Sequence, residues 1–463
     1  MKKATRPILW TQGLFLQPQH LQQFDLHLQS LLYPHLKFSQ PYWWGVCNLN
    51  IDEDSLKNRM CEISDAEIIF PDGTWVRFPG DSSLQPRSLQ EVPLEPGKLF
   101  TVFIGLRKMR DGERHVTTIT SPDQSGAAQT RYLSHIDPEE VQDFHGDGPL
   151  ARVRFMNFAL KIFWETEVAE LGDYWLMPIA KLEFVDGIIK LSKTYTPPTI
   201  AIAQSDLLKQ IIKNVQDQIT SRSTILEEYK SPAGTVLTDQ EPHYILYILA
   251  LRSLNRYIPL LHQIIADPLV HPWNMYGLLR QLIGELSSFT DRFNALGILK
   301  TGVKLLPDYD HEELHTCFTE ANVLIGELLN TLTIGTQNIM ILERDGDLFQ
   351  GQIPLDTLDE RNIFHLVIKA IGESDEILTN VMHVAKMGSH ERISTLIARA
   401  LPGVPLQQRQ IPPPGLPRRP DSYYFKFDQD DSEWYEIKRT GNICLYWTEA
   451  PQDTEVQVII IKT

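Results

Sequence analysis

The 463-residue chain carries 43 basic and 59 acidic side chains, a formal net charge of −16. Hydrophobic residues at 42% and charged residues at 22% are ordinary for a folded chain and exclude wholesale disorder. At roughly 100–200 residues per domain, the length predicts two to four domains. The acidic balance opposes binding to nucleic acid or anionic membrane.

Four cysteines, Cys47, Cys61, Cys317 and Cys444, lie far apart with no CxxC pair. That pattern fits neither a disulfide framework nor a zinc ribbon and suits reduced cytosolic thiols. The basic N-terminus has no apolar h-region behind it, so no secretory signal is expected. The longest uncharged apolar run, Tyr244 to Leu251, is far short of the ~20 residues that span a bilayer. A soluble cytoplasmic protein without direct membrane insertion is expected.

Along the chain, residues 40–192 read as β. Cys61–Phe70, Leu99–Lys108, Ala151–Trp164 and Tyr174–Val185 are rich in β-branched and aromatic side chains. Asp-Gly pairs at Asp72-Gly73, Asp111-Gly112, Asp147-Gly148 and Asp186-Gly187 supply turns that need positive φ. No helical period alternates with these strands, so an antiparallel sandwich is expected rather than a parallel α/β sheet. Thr194–Thr199, reading TYTPPT, breaks regular structure and is read as a linker.

Helical periodicity follows. Leu208, Ile211, Ile212, Val215, Ile219 and Leu226 form one stripe. His243–Ile265 is apolar nearly all round and is expected to be buried. Leu278, Leu282, Leu286, Phe289 and Phe293 form a third stripe. Leu314, Phe318, Ala321, Ile325, Leu328 and Leu332 form a fourth with heptad-like spacing. Four such helices imply a bundle. Beyond residue 335, Thr336–Leu342 and Leu348–Ile353 are expected to pair around Asp345-Gly346. Helices are expected at 358–371, 375–386 and 390–400, with Ser374 and Ser389 as N-caps. Strands return at Tyr423–Phe427, Ile443–Trp447 and Val456–Ile461. The fold class is therefore multidomain α+β. It has an N-terminal antiparallel β-sandwich over 1–193, a central helical bundle over 200–334 and a C-terminal α+β head over 335–463.

Few residues suggest chemistry. His311-Glu312-Glu313-Leu314-His315 fits HExxH, in which two histidines on one helix face hold zinc and the Glu acts as base. Glu313 and Asp310 place charge where such sites keep uncharged residues, and Glu320 and Glu327 are the only candidate third ligands. The preferred reading is an acidic first helical turn capped by Asp308 or Asp310. Pro96-Gly97-Lys98 lacks the rest of a P-loop. Cys317, close to His315, reads as a small core hydrophobe. His20, His27 and His35 recur at seven and eight residues without acidic or Cys partners. Arg418-Arg419 is too short for a nucleic-acid patch. Pro412–Pro414 and Pro417 allow a polyproline II ligand, although a rigid connector is the preferred reading. No cofactor, metal or catalytic residue is expected. From the residues alone, an assembly component is favoured over an enzyme.

An ordered set of motifs carries more information. Trp10, Gly13, Phe15, Leu16, Pro18, Gln19, His20, Gln22 and Gln23 resemble the opening signature of the TssK family, baseplate proteins of bacterial type VI secretion systems. The chain departs at Gln12, Leu14 and Leu21, where the family carries Glu, Met and Phe. Trp44-Gly45, the Leu49-to-Asp52 stretch, Phe70-Pro71-Asp72-Gly73 and Tyr309-Asp310-His311 with Cys317-Phe318 also match. So do Leu401-Pro402-Gly403-Val404-Pro405-Leu406, Tyr424-Phe425 and Trp434. The matches cover nearly the whole chain in order.

The resemblance implies a shoulder like that of phage receptor-binding proteins, then a helical neck and a head. It also implies a homotrimer held by the TssF–TssG wedge, whose head meets cytoplasmic parts of TssL and TssM in the TssJ–TssL–TssM complex. On that footing, wedge contact is expected at Trp10, Gly13, Phe15, Leu16, Pro18, Gln19 and His20. The stripe from Leu314 to Leu332 is expected to serve the bundle core and the trimer seam. The rival readings are a zinc-dependent hydrolase using His311, Glu312 and His315, and an exported receptor-binder.

Overall fold

The computed structural model describes residues 5–146, 148–227, 230, 242–332, 339–358, 362–409 and 421–461. The expected Asp147-Gly148 turn lies partly outside these residues, and the polyproline and Arg418-Arg419 readings lie wholly outside. The chain folds as two compact units. One comprises Met1–Gln216, Leu260–Ser287 and Arg292–Ile325; the other comprises Asp217–Pro259, Ser288–Asp291 and Gly326–Thr463. The helices are α1 (Pro18–Ser39), α2 (Glu53–Lys57), α3 (Asp206–Glu227), α4 (Pro242–Ala266), α5 (Pro272–Leu286), α6 (Leu314–Thr331), α7 (Ser374–His383), α8 (His390–Ala398) and α9 (Ser432–Thr440).

In the first unit, strands Gly45–Ile51, Ile63–Ile69 and Trp75–Phe78 form one sheet. A seven-stranded sheet runs in the order Ile188–Leu191, Tyr174–Val185, Leu99–Arg107, Asn157–Trp164, Tyr132–His135 and Val116–Ile119, with Ser82–Ser83 paired beside Asn157–Trp164. One core joins the two sheets. Val46, Ala66, Ile68 and Val76 meet Val102, Ile104, Leu106, Ile162, Met177 and Leu182 there. Alternation along Leu99–Arg107 buries Phe100, Val102, Ile104 and Leu106, as a strand half-buried in a sandwich requires. The turns follow the Asp-Gly chemistry. Asp186 and Gly187 take φ of 54° and 79° between paired Val185 and Ile188, the mirror-image turn favoured in two-residue hairpins.

Three expectations for this unit need correction. The larger sheet is mixed, since Val116–Ile119 and Tyr132–His135 run parallel, as do Ser82–Ser83 and Phe158–Ala159. A short 3-10 segment at Pro122–Ala127 intervenes between the first two, so the chain re-enters in the same direction. Ala151–Trp164 is two strands. Ala151–Val153 pairs with Glu139–Val141 in an exposed hairpin of its own, and Asn157–Trp164 belongs to the large sheet. Thr194–Thr199 is not a loose linker: Tyr195, Thr196, Pro198 and Thr199 are buried. Val46 N–H donates to Pro198 O at 2.8 Å, and Thr199 Oγ1 donates to Val46 O at 2.9 Å.

Helix α3 buries Leu208, Ile212, Val215, Ile219 and Leu226, and α6 buries Leu314, Phe318, Ala321, Ile325, Leu328 and Leu332, so both stripes face the interior. Helix α4 is not covered all round, because Ile245, Leu249 and Leu260 remain exposed on the side that carries Arg252 and Arg256. Helix α5 ends at Leu286, short of Phe293, and its buried stripe is Met275, Leu279, Leu282, Ile283 and Leu286.

The second unit contains a five-stranded sheet ordered Ile339–Ile341, Glu455–Ile461, Ile363–Lys369, Ser422–Phe427 and Leu406–Arg409. A four-stranded sheet is ordered Glu343–Asp345, Leu348–Gln352, Asn442–Tyr446 and Lys386–Gly388. Phe364, Leu366, Phe425, Phe427, Trp434, Ile443, Trp447 and Val458 share its core. The expected helix at 358–371 is instead the central strand Ile363–Lys369, buried on both faces, which removes the alternation that would mark it. Ile339–Ile341 pairs with Glu455–Ile461, while Glu343–Asp345 makes the hairpin with Leu348–Gln352. Ser374 is the first residue of α7, whose N-cap is Glu373. Ser389 is the N-cap of α8 but makes no side-chain cap bond.

Candidate partner-binding surface

Residues 5–17 and α1 form an apolar arm on the first unit. Leu14 N–H bonds Thr11 O at 3.2 Å, and Gly13 takes φ of 82°. This is a tight turn at the position where only glycine avoids strain. Phe15 and Leu16 follow and are 81% and 60% exposed. Pro18 starts the helix at its first position, where its missing N–H costs nothing. Gln17 N–H donates to His20 Nδ1 at 3.1 Å, so His20 closes the helix start. Trp10 lies edge-on to Phe24 with ring centroids 6.3 Å apart. Of the expected contact residues, Trp10, Gly13, Phe15, Leu16, Pro18 and Gln19 are exposed and adjacent, and His20 is half-buried. The helix itself was not foreseen. Its signals are Pro18 followed by Leu21, Phe24, Leu28, Leu31 and Leu32 at spacings of three and four.

Helix α1 is fixed to the sandwich from one side. The Tyr33 ring meets Trp43 edge-on at 5.6 Å. Both rings border Gly73, whose φ of 84° and close ring contact, 3.3 Å from a Cβ to Tyr33, make a side chain there strained. The adjacent Asp72 forms a buried ion pair with Arg131, Oδ2 to Nη2 at 3.1 Å. Arg131 also donates to Thr74 Oγ1 and to Arg107 O. Asp72 Oδ1 accepts Thr74 N–H at 3.0 Å. The Phe70-to-Gly73 turn is thus an ionic and aromatic node between the sheets and the arm.

A second node lies behind the start of strand Gly45–Ile51. His311 is 2% exposed. Its Nε2–H donates to Trp44 O at 2.8 Å, and its Nδ1 accepts from the Tyr309 hydroxyl at 2.7 Å. His271 Nε2–H donates to Tyr42 O at 2.8 Å, and its Nδ1 accepts Trp273 N–H at 3.1 Å. Both imidazoles are neutral, because each uses one nitrogen as donor and the other as acceptor. Burial pushes His311 down to about 4 and lowers His271 as well.

This geometry overturns the zincin reading. Helix α6 starts at Leu314, so His311 and Glu312 precede it and share no helix face with His315. Asp310 Oδ1 accepts Glu312 N–H at 2.9 Å, capping a turn ahead of the helix rather than the helix. Among the described residues, no group of three His, Cys, Asp or Glu side chains is placed to hold a metal ion. Burial raises the Cys317 thiol, consistent with a core role. The stripe Leu314, Phe318, Ala321, Ile325, Leu328 and Leu332 is at most 8% exposed in the single chain. Among the described residues, no helix is long and apolar enough to cross a membrane.

Comparison with known proteins agrees with the motif order. Residues 20–461 match the family described as bacterial type VI secretion, VC_A0110, EvfL, ImpJ, VasE. The chain is 26% identical over 448 residues, 95% of each protein, to the type VI secretion system baseplate component TssK1 of Pseudomonas aeruginosa. Its fold is similar to that of a crystal structure of TssK, with TM-score 0.60 and 22% identity over 98% of this chain and 99% of that one. It is also similar to a chain of a TssK-TssF-TssG baseplate subcomplex seen by cryo-electron microscopy, with TM-score 0.59 and 19% identity over 70% of this chain and 99% of that one. A match covering nearly all of the sequence, with the motifs in order and the same fold throughout, places this chain in the TssK family of bacterial type VI secretion proteins.

Proposed function

We propose that this chain is a structural component of the type VI baseplate, a cytoplasmic homotrimer that ties the TssF–TssG wedge to cytoplasmic parts of TssL and TssM. Family membership and the baseplate role named for its Pseudomonas relative support the reading. The observation that carries it is the arm. Trp10, Phe15 and Leu16 stand exposed on a segment whose turn and helix start are closely specified. Exposed aromatic anchors on a defined scaffold suit docking into a partner.

Under this reading, residues 1–193 hold the wedge as a phage-like shoulder, 200–334 supply the trimeric neck, and 335–463 form the head that meets the membrane complex. The work is mechanical coupling at the inner face of the cytoplasmic membrane. It needs no covalent chemistry, and the one catalytic-looking motif has its first histidine committed to Trp44 and Tyr309.

Affinity capture by the full chain from a type VI-competent lysate tests the reading. Recovery of TssF and TssG together with TssL or TssM is expected. Recovery of neither pair by a folded protein would contradict it.

A further inference from the structure

Helix α5 borders a formed cleft that the baseplate reading does not use. The cleft has a volume of about 490 Å³ and is lined by α5, the end of α4 and Tyr309, all within the first unit. That is within the roughly 300–1,000 Å³ of small-molecule sites. Its aromatic wall is held in place. The Trp273 ring lies edge-on to Tyr309 at 5.1 Å and tilted against Tyr42 at 5.8 Å, and Trp273 N–H is bound by His271. Trp273 is nonetheless 37% exposed, and Leu260 of α4 is 42% exposed, so apolar surface lines the cleft and stays open to solvent.

A charge lies farther along the same helix. Positions 273, 277 and 280 share one face of α5, because steps of four and seven residues return a helix to nearly the same side. Trp273 and Arg280 are therefore about 10 Å apart along the axis. Between them Gly277 leaves the floor open, since a Cβ there would meet nothing within 4 Å. Arg280 is half-buried in the cleft and makes no hydrogen bond or ion pair among the described residues. The carboxylate of Asp308, whose charge acts on Arg280, is committed to Lys304 Nζ at 2.6 Å. Asn274 and Gln281 add amides to the rim. In a chain with 59 acidic residues against 43 basic ones, a half-buried guanidinium without a carboxylate is an open bidentate seat for one.

We propose that this cleft binds a small organic acid, its apolar body against Trp273 and Leu260 and its carboxylate on the Arg280 fork. The spacing of the two ends, with the Gly277 gap between them, selects an elongated acid over a compact one.

Calorimetric titration of the full-length protein with 6-phenylhexanoate, and with 6-phenylhexan-1-ol as its uncharged counterpart, tests the site. The acid is expected to bind with a dissociation constant at or below about 1 mM, the scale for a ligand of this size, and at least about tenfold more tightly than the alcohol. Arg280→Gln should abolish that preference and leave alcohol binding unchanged. The acid-to-alcohol ratio on the wild-type protein decides the claim even where Arg280→Gln fails to fold. Gly277→Leu puts a good helix former into open space, so it should keep the melting temperature, fill the floor and remove binding of both compounds. No binding of the acid to wild type, equal binding of acid and alcohol, or acid binding that survives Gly277→Leu would each overturn the proposal. A changed solution mass of Gly277→Leu by light scattering would also overturn it, by giving the cleft to a second copy of the chain. So would loss of TssF and TssG capture by that variant, which would give the cleft to the wedge and leave the baseplate reading intact.

Discussion

The rings of His271 and His311 stack with centroids 5.5 Å apart and planes 14° from parallel, and each donates a hydrogen bond to a backbone carbonyl, of Tyr42 and Trp44 respectively. Two helix-flanking loops are thereby tied to the segment that leads from α1 into the sandwich. Both imidazoles are held below their ordinary range by burial, His311 at about 4. The unfolded chain therefore binds protons first as pH falls. Stability should be full above pH ~6.5 and decline as pH falls, through His311 by up to about 1.4 kcal/mol per pH unit towards pH 4, with His271 acting in the same direction. His365 in the second unit, also pushed down to about 4 by burial, acts in the same direction. His311→Phe should keep the stack, lower stability at neutral pH by about 1–3 kcal/mol through unpaired polar groups, and flatten the acid slope. Urea unfolding from pH 4 to 8 checks both effects.

The Asp72–Arg131 pair should behave as a buried ion pair does. Arg131→Leu leaves Asp72 buried without its cation and should cost about 3–5 kcal/mol. The double variant Asp72→Asn/Arg131→Leu should recover part of that loss, because the strandable charge is gone. Denaturant midpoints of the wild type and the two variants supply the measurement.

Two glycines in the family motifs have steric reasons to be glycine. Gly45 has φ of 145°, and a Cβ there would sit 2.8 Å from Pro198 O. At Gly403 a Cβ would overlap the backbone of Met387, whose carbonyl accepts Val404 N–H. Gly45→Ala and Gly403→Ala should each destabilise by at least about 1–3 kcal/mol, whereas Gly97→Ala, in open space at φ of 79°, should cost less than either. Thermal melting of the three variants ranks them.

The residues that resemble a zinc site should prove inert. His315→Ala should leave stability and metal content unchanged, with elemental analysis of the purified protein finding no stoichiometric zinc before or after. One zinc per chain, lost on that substitution, would restore the hydrolase reading.

Much of this fold was legible where chemistry is local. Asp186-Gly187 marked its hairpin, and the stripes of α3 and α6 marked buried helix faces. Features set by distant partners were not. Ile363–Lys369 was read as helix because a strand buried on both faces loses its alternation. Helix α9 passed unnoticed because its signal is short: an Asp431 cap on Glu433 N–H and one buried turn at Trp434 and Ile437. The Asp72–Arg131 pair joins residues 59 apart, and the His271–His311 stack joins two loops. No window of sequence displays either. The apolar residues of the arm are plain in the sequence, and the periodicity of its helix is present there too, but without a buried face to confirm it that periodicity is easily passed over.

The most direct test of the account is binding of purified TssF–TssG to the full-length protein and to Trp10→Ala/Phe15→Ala/Leu16→Asp, compared by interferometry. These exposed side chains contribute little to folding, so the variant should keep the wild-type melting temperature. Its affinity for the wedge should fall by 100-fold or more, in line with the loss of ~3 kcal/mol from aromatic anchors. Wedge binding that survives unchanged on a folded variant would contradict the assignment of the arm and move the contact elsewhere on the chain.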